Sequence, residues 1–167
     1  MDLNETGRTE LHIACSEGDA SRVESLLTAG ASLDTPGPAN WTPLHIACME
    51  HNAECVKVLL DAGANVTTVD CCGRTPLHYA CNSRDCDDEC ARLMIHAGAS
   101  VDARDAVDWT PLHNASAAGN PSCVTFLLNA GADTCLKTDH GIRAIDLARQ
   151  NGDAACVTVL EEGRVGV

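Results

Sequence analysis

Histidine and cysteine are the residues of this chain that could do chemistry, and the histidines recur with a fixed neighbour pattern. The string Thr-Pro-Leu-His occurs three times and Thr-Glu-Leu-His once, which places four of the seven histidines at His12, His45, His78 and His113. Acid–base or nucleophilic catalysis would need a second reactive residue that recurs with them, and the sequence shows none. Phosphate-binding loops and the common hydrolase motifs are missing from it as well. We therefore expect no catalytic residue and no enzyme activity.

Most of the eleven cysteines fall into two columns that follow the same spacing. The columns hold Cys15, Cys48 and Cys81, and Cys55, Cys90, Cys123 and Cys156. Equivalent positions in neighbouring repeats should lie about 8–10 Å apart, beyond the Cα reach of a disulfide at about 7 Å. We predict that these seven are reduced thiols in the core, acting as small apolar side chains. Reduced thiols favour the cytoplasm, or the nucleus.

The four cysteines outside the columns are Cys71, Cys72, Cys86 and Cys135. A structural zinc site needs four ligands that converge on one point. Cys71 and Cys72 belong to an extended segment at one end of a repeat, whereas Cys86 belongs to an insertion at the other end, so we do not expect them to meet. We predict no metal and no cofactor. The alternative is a thiol-based redox or metal-responsive protein that uses an exposed Cys71 or Cys72.

The elements that must position these residues repeat along the whole chain. The motif threonine is at positions 9, 42, 75 and 110, and a degenerate Arg143 follows it, at intervals of 33, 33, 35 and 33. The glycine of an Ala-Gly-Ala string is at positions 30, 63, 98 and 131, at intervals of 33, 35 and 33. Two independent columns with one period predict a repeat protein.

Each period carries the signals of two short helices and one extended loop. Thr42 followed by Pro43 is a helix start, because the hydroxyl caps a free N–H and proline suits the first helical position. A break at His51 separates two apolar helical stretches, and Gly63 supplies the left-handed residue that ends the second. Residues 65–73 then read as an extended hairpin. Units of this kind cannot bury an apolar face alone, so they must stack.

With this period and these motifs, the sequence resembles the ankyrin-repeat family over residues 7–163. The resemblance implies an all-α repeat solenoid in which helix-turn-helix units with a β-hairpin finger form a right-stacked linear array. It also implies that the motif histidines hydrogen-bond between adjacent units. We expect one domain over residues 1–167, with repeats at approximately 6–35, 39–68, 72–104, 107–136 and 140–163. The last repeat, which has lost the motif, is expected to be a C-terminal cap.

Charge and hydropathy narrow the class of partner. The formal net charge of −13 repels nucleic-acid phosphates and anionic lipid, and favours a neutral or basic protein surface. No stretch reaches the roughly 18 apolar residues of a membrane span, and the first twenty residues do not form a leader. We expect a soluble, intracellular monomer that binds another protein, and neither nucleic acid nor membrane.

Ankyrin repeats typically meet their partners through the finger tips and the exposed side of the first helices, which together line a concave face. The residue before each motif threonine belongs to this surface, and we call these five positions the pre-threonine column: Arg8, Trp41, Arg74, Trp109 and Ile142. Tryptophan and arginine are enriched at binding hot spots. Arg74 lies one unit from each tryptophan, which allows a cation–π strip. Met49 and Val107 are expected to be exposed beside the column. The alternative is that each tryptophan merely packs on its own finger.

Four functions are open at this point. The first is a non-enzymatic adaptor or scaffold that holds a partner protein on the concave face. The second is suggested by the second helices at Cys55 and Cys123, which carry Cys-Val-x-x-Leu and so resemble the ankyrin-and-SOCS-box family. This resemblance implies a substrate-recognition fragment of a cullin-type ubiquitin ligase receptor. Only seven residues follow Leu160, too few for a SOCS box. The overall size resembles small ankyrin inhibitors of kinases, although residues 40–51 lack their shortened helix. The fourth is the redox or metal response.

Overall fold

The computed structural model of the chain describes residue 4 and residues 6–84 and 88–163, which fold as five consecutive pairs of helices. The first helices of the pairs are α1 (Glu10–Glu17), α3 (Pro43–Met49), α5 (Pro76–Ala80), α7 (Pro111–Ala118) and α9 (Ala144–Gln150). The second helices are α2 (Ala20–Thr28), α4 (Ala53–Asp61), α6 (Glu89–His96), α8 (Pro121–Asn129) and α10 (Ala154–Glu162). We number the pairs as units one to five. The prediction of an all-α repeat solenoid is confirmed.

The helices begin and end where the sequence signals place them. Thr9, Thr42, Thr75 and Thr110 are the N-caps of the first helices in units one to four. Proline occupies the first helical position in units two, three and four, where its missing N–H costs nothing. Gly18 and Gly119 end α1 and α7 in the left-handed conformation, which a residue without Cβ adopts freely.

The units stack in register, so that each first helix packs on the next: α1 on α3, α3 on α5, α5 on α7 and α7 on α9. The core is made of the leucines that precede the motif histidines, the buried faces of the second helices and the cysteine columns. All seven column cysteines are buried in the core, as predicted. Among the described residues, no helix has the length and apolar character needed to cross a bilayer.

The fingers connect one unit to the next and are closed by backbone hydrogen bonds across their tips. We number the fingers by the unit that follows them, so residues 37–41, 70–74, 105–109 and 138–142 form fingers two to five. In these fingers the N–H of Gly37, Asp70, Asp105 or Thr138 donates to the carbonyl four residues later, at 2.7–3.0 Å. Within the part of the chain that the structure describes, no regular strand forms, and one isolated antiparallel bridge joins Lys137 and Arg143. The predicted β-hairpins are therefore hairpin-shaped loops, too short for a ladder.

Adjacent fingers are also hydrogen-bonded to one another through the backbone. The N–H of Cys71 donates to the carbonyl of Ala39 at 2.9 Å, and the N–H of Ala106 donates to the carbonyl of Cys72 at 2.8 Å. The N–H of Asp139 extends the series to the carbonyl of Val107 at 3.2 Å. These bonds fix the spacing of four finger tips, and so the finger tips form a connected row.

The two-residue insertion lies between α5 and α6, where the sequence places it. The first helix of unit three ends early, at Ala80, and α6 begins at Glu89. Residues 85–87, which include Cys86, lie outside the described residues. Arg84, just before them, donates to the carbonyl of Ala118 at 3.2 Å and to the carboxylate of Asp153 at 2.7 Å. This side chain therefore ties unit three to units four and five.

Candidate partner-binding surface

The motif histidines hold the pre-threonine column in place. In each of units one to four the ring Nδ1 accepts the backbone N–H of the motif threonine at 3.1–3.2 Å. Because Nδ1 is an acceptor, the ring proton is assigned to Nε2, which donates to a carbonyl of the next unit at 2.9–3.1 Å. The carbonyls belong to Trp41, Arg74, Trp109 and Ile142. Each imidazole thus joins two units, as the family resemblance implies.

These histidines are buried and neutral. Burial lowers the pKa of His12, His45, His78 and His113 below the ordinary value, although the hydrogen bond to the neighbouring carbonyl works in the opposite direction. A neutral ring with both nitrogens engaged has no free site for proton transfer to a substrate. The rings therefore act as fixed braces beneath the concave surface.

Trp41 is half-buried and contacts the finger of the following unit. Its indole N–H donates to the carboxylate of Asp70 at 3.3 Å, and its ring meets the ring of Tyr79 edge to face, with centroids 5.5 Å apart. The Tyr79 hydroxyl donates to the same Asp70 oxygen at 2.6 Å. Trp41 is thus packed against unit three and not simply on its own finger, so it is a structural residue as well as a candidate contact residue.

Asp70 is the centre of this polar cluster. Asp70 is only 5% exposed. Its Oδ2 accepts from Trp41 and Tyr79, and its Oδ1 accepts the backbone N–H groups of Cys72 at 2.7 Å and Arg74 at 2.9 Å. Burial alone would raise the pKa of Asp70, but the four donors, led by the Tyr79 hydroxyl, outweigh it and hold the pKa below the usual range. Burial and the bond to this carboxylate raise the pKa of Tyr79 to about 12. The cluster is therefore an ionised carboxylate with its donors already supplied.

Arg74 pairs with a carboxylate and not with an indole ring. Its Nε lies 3.5 Å from the buried carboxylate of Asp105 in the next finger. The cation–π contact found among the described residues is instead that of Arg92 over Phe126, with the guanidinium carbon 4.9 Å from the ring centroid, between α6 and α8. The cation–π strip that the spacing allows, with Arg74 between two tryptophans, does not form among the described residues, because Asp105 offers a charged acceptor within reach.

Two cavities open beside the pre-threonine column, each between an arginine and a tryptophan of adjacent units. The first, about 220 Å³, is lined by Arg8 and Trp41 together with Pro38, Ala39 and Ile46. The second, about 160 Å³, is lined by Arg74, Val107 and Trp109 together with Tyr79 and Asn114. Larger cavities of about 320 and 470 Å³ lie away from the column, beside unit one and beside α8.

Five of the seven residues predicted for the surface line these two cavities, and two do not. Val107 is 43% exposed at the tip of the fourth finger, and Trp109 is half-buried beside the ring of His113, with centroids 6.1 Å apart. Within the described residues the indole N–H of Trp109 has no acceptor, unlike that of Trp41. Met49 and Ile142 are half-buried and line neither cavity.

Three residues that organise the surface were not predicted: Tyr79, Asp70 and Asp105. The two aspartates share one column with Asn4, at the residue that opens each finger turn, and all three accept the N–H two and four residues ahead. Aspartate and asparagine favour that turn position. The spacing of this column was therefore a usable signal, whereas the contact of Tyr79 depends on how the units stack.

The exposed cysteines do not assemble a metal centre of three or more ligands. Cys71 and Cys72 are exposed on the third finger, and Cys135 is exposed in the segment that connects α8 to α9. Within residues 6–84 and 88–163 there is no group of three histidine, cysteine or carboxylate side chains that could hold a metal ion. The prediction concerning Cys86 falls outside the described residues.

Stacked helix pairs, finger turns and bridging histidines define a repeat solenoid built to present a continuous side surface. The family model described as ankyrin repeats, in three copies, matches residues 11–105 and 83–165. The chain therefore belongs to the ankyrin-repeat family. Comparison with curated proteins gives no match. Ankyrin repeats generally mediate binding to other proteins and are typically non-enzymatic.

Proposed function

We propose that this protein is a non-enzymatic adaptor or scaffold whose concave face and finger tips bind a partner protein. The contact surface consists of the pre-threonine column with the half-buried Met49 and the exposed Val107 beside it: Arg8, Trp41, Arg74, Trp109, Ile142, Met49 and Val107. Trp41, Arg74 and Trp109 are its centre, because arginine and aromatic side chains beside small cavities are the usual anchors of protein interfaces.

The observation that carries this proposal is the pair of cavities between an arginine and a tryptophan. At about 220 and 160 Å³ both are smaller than the 300–1,000 Å³ typical of small-molecule sites, and each suits one or two side chains. The first is lined almost entirely by apolar atoms, whereas the second also offers Arg74, Asn82 and Asn114. The partner would therefore insert one apolar side chain and one with a polar end.

The spacing of the units sets the reach that such a partner needs. The cavities are formed by equivalent residues two units apart, and stacked helices lie about 8–10 Å apart, so the two anchors should be about 16–20 Å apart. An extended segment covers that distance in about five or six residues. The connected row of finger tips keeps the distance constant, which lowers the entropy lost on binding.

We also infer that the five units form one domain closed by the fifth. In unit five Asp146 replaces the motif histidine, and its carboxylate accepts the backbone N–H of Arg143 at 3.1 Å. The carboxylate closes the turn, but Asp146 lacks the Nε2 donor with which each motif histidine reaches the next finger. This substitution supports a capping role for α9 and α10.

The cytoplasm or the nucleus is the proposed site of action, with the protein as a monomer. Seven of the ten described cysteines are buried in the core, where they act as small apolar side chains. Exported proteins rarely keep so many thiols reduced. A ubiquitin-ligase receptor fragment or a kinase inhibitor would use the same surface, and the identity of the captured partner decides between them.

The test compares two truncations of half-buried aromatic residues on opposite sides of the molecule. Trp109→Ala removes an anchor from the concave side, and Phe126→Ala removes a ring of the second-helix row, with folding of both followed by circular dichroism. Wild-type protein and Phe126→Ala should retain the same partner from a native cell extract, and Trp109→Ala should lose it. Equal retention by both variants would reject the proposed surface. Trp41→Ala is a weaker test, because its loss of the Asp70 contact should lower stability too.

A further inference from the structure

The third finger carries two adjacent exposed thiols that no part of the partner-binding proposal requires. Cys71 and Cys72 are both exposed, and their sulfur atoms lie 3.8 Å apart. The other described cysteines are either buried in the repeat columns or, like Cys135, isolated on the surface. A sulfur pair at this distance is too far apart for a disulfide, which needs about 2.05 Å, yet close enough for both atoms to contact one further atom.

The backbone around the pair is held from both sides. The Cys71 N–H donates to Ala39 in the second finger, and the Cys72 carbonyl accepts from Ala106 in the fourth. The Cys72 N–H donates to the buried carboxylate of Asp70 at 2.7 Å. Moving the two sulfurs into a direct bond would work against these three hydrogen bonds. The backbone that carries the two thiols is therefore fixed, and their sulfur atoms lie 3.8 Å apart in the observed rotamers.

That separation matches a thiolate chelate. Two metal–sulfur bonds of about 2.3 Å at a tetrahedral angle place the sulfurs about 3.8 Å apart. We propose that Cys71 and Cys72 form a two-thiolate site for a soft, thiophilic metal or metalloid centre. Soft centres prefer thiolate over the oxygen ligands that dominate the rest of this acidic surface. The inference does not depend on the proposed protein partner.

The number of ligands limits the kind of centre. No third histidine, cysteine or carboxylate among the described residues joins the pair. A closed four-thiolate zinc site is therefore not available from these residues, and the centre would keep exchangeable positions beside the two sulfurs. A monosubstituted trivalent arsenical, which binds two thiols, is a suitable probe of such a pair.

The reaction with the probe phenylarsine oxide balances without an oxidant or a reductant. The two sulfur–hydrogen bonds and the arsenic–oxygen double bond break, and two arsenic–sulfur bonds form. Both protons leave with the oxygen as one molecule of water. Arsenic remains trivalent and keeps its phenyl group. In the product the two Cβ atoms, the two sulfur atoms and arsenic form a bridge between the two cysteines, and the peptide backbone completes the ring.

The experiment uses the full chain with Cys86→Ser and Cys135→Ser, so that the third finger provides the remaining accessible pair. Reduced protein is titrated with phenylarsine oxide, followed by mass spectrometry and by counting the thiols that react in the folded state. We expect one phenylarsenic group per chain and the loss of two reactive thiols. Adding Cys71→Ser or Cys72→Ser should weaken binding at least about tenfold, because the second sulfur no longer closes the chelate.

Three results would overturn the proposal. The first is no arsenical bound, with two thiols still reactive; the second is equal binding after either serine substitution. The third is a loss of two mass units without arsenic, which would mean that the pair forms a disulfide. Circular dichroism of the serine variants checks that the fold is retained, and we expect it to be, because both side chains are exposed.

Discussion

The Nε2 of His78 donates to the backbone carbonyl of Trp109 at 3.1 Å, while its Nδ1 accepts the N–H of Thr75 at the same distance. One ring therefore closes the start of α5 and fixes the residue that flanks the second cavity. The same arrangement in three other units makes the positions of the pre-threonine column a property of the buried core. Partner binding and fold stability share these histidines, so both should respond to their protonation.

The first prediction concerns stability and pH. Burial lowers the pKa of four motif histidines in the folded state, so the unfolded chain binds more protons between about 6.5 and the lowered values. The free energy of unfolding should be greatest above pH 6.5 and should fall as the pH decreases below it, by up to about 1.4 kcal/mol per pH unit for each histidine. Urea unfolding between pH 7.5 and 5.5 measures this slope.

His78→Gln is the control for that slope, because glutamine does not titrate. The variant should have a lower free energy of unfolding than the wild-type protein at pH 7.5. On acidification its free energy of unfolding should fall less steeply than that of the wild-type protein, by up to about 1.4 kcal/mol per pH unit. A stability curve that is flat from pH 7.5 to 5.5 in the wild-type protein would contradict the neutral, buried assignment.

The second prediction concerns the hydroxyl of Tyr79. Tyr79→Phe removes a 2.6 Å hydrogen bond to the ionised carboxylate of Asp70, and should cost about 1.5–3 kcal/mol at pH 7. Because the folded-state pKa of Asp70 is lowered, the wild-type advantage is fully present above about pH 4 and is lost as the pH falls through the folded value. A double-mutant cycle with Asp70→Asn measures the coupling, and additive losses would show that the two side chains do not interact.

The third prediction concerns Ser116, which occupies in unit four the column position of Cys15, Cys48 and Cys81. Its hydroxyl is fully buried and has no hydrogen-bond partner among the residues that the structure describes. Ser116→Ala should therefore raise the free energy of unfolding by about 1 kcal/mol. Ser122→Ala, at an exposed position of α8, controls for the helix preference of alanine. A destabilised Ser116→Ala would mean that the hydroxyl has a partner in solution.

The repeat architecture could be predicted because its signals are local. Threonine before proline fixes a helix start, and the Ala-Gly-Ala glycine fixes a helix end, so two columns were enough to define the stack. The histidine bridges followed from the family resemblance. The left-handed residue of each finger turn is less regular: Gly73 holds it in the third finger, but Asn40 and Asp108 take it in the second and fourth. A search for glycine alone would miss those turns.

The details of the surface could not be predicted, because they depend on contacts between residues of different units. Arg74 pairs with Asp105 and Trp41 with Asp70, and each pair is about one repeat apart in sequence. The spacing of the column allowed a cation–π contact between Arg74 and the tryptophans, yet in the stacked fingers Arg74 pairs with the carboxylate of Asp105. Trp41 and Trp109 occupy equivalent positions, but the surroundings of their indole groups differ, because unit five has Thr138 and Leu147 where unit three has Asp70 and Tyr79.

The most direct test of the proposed surface uses two valines with nearly equal exposure. Val107 is 43% exposed and lines the second cavity, whereas Val69 is 44% exposed and lines neither cavity beside the column. Glutamate at either position should change stability by less than about 0.5 kcal/mol. The two variants are compared by capture of the partner from native cell extract. Val69→Glu should retain the partner as wild-type protein does, whereas Val107→Glu should lose at least about 90% of it. The reason is that a charge buried in an apolar contact should lower the binding affinity by more than about tenfold. Equal retention by the two variants would contradict the assignment of partner binding to this face.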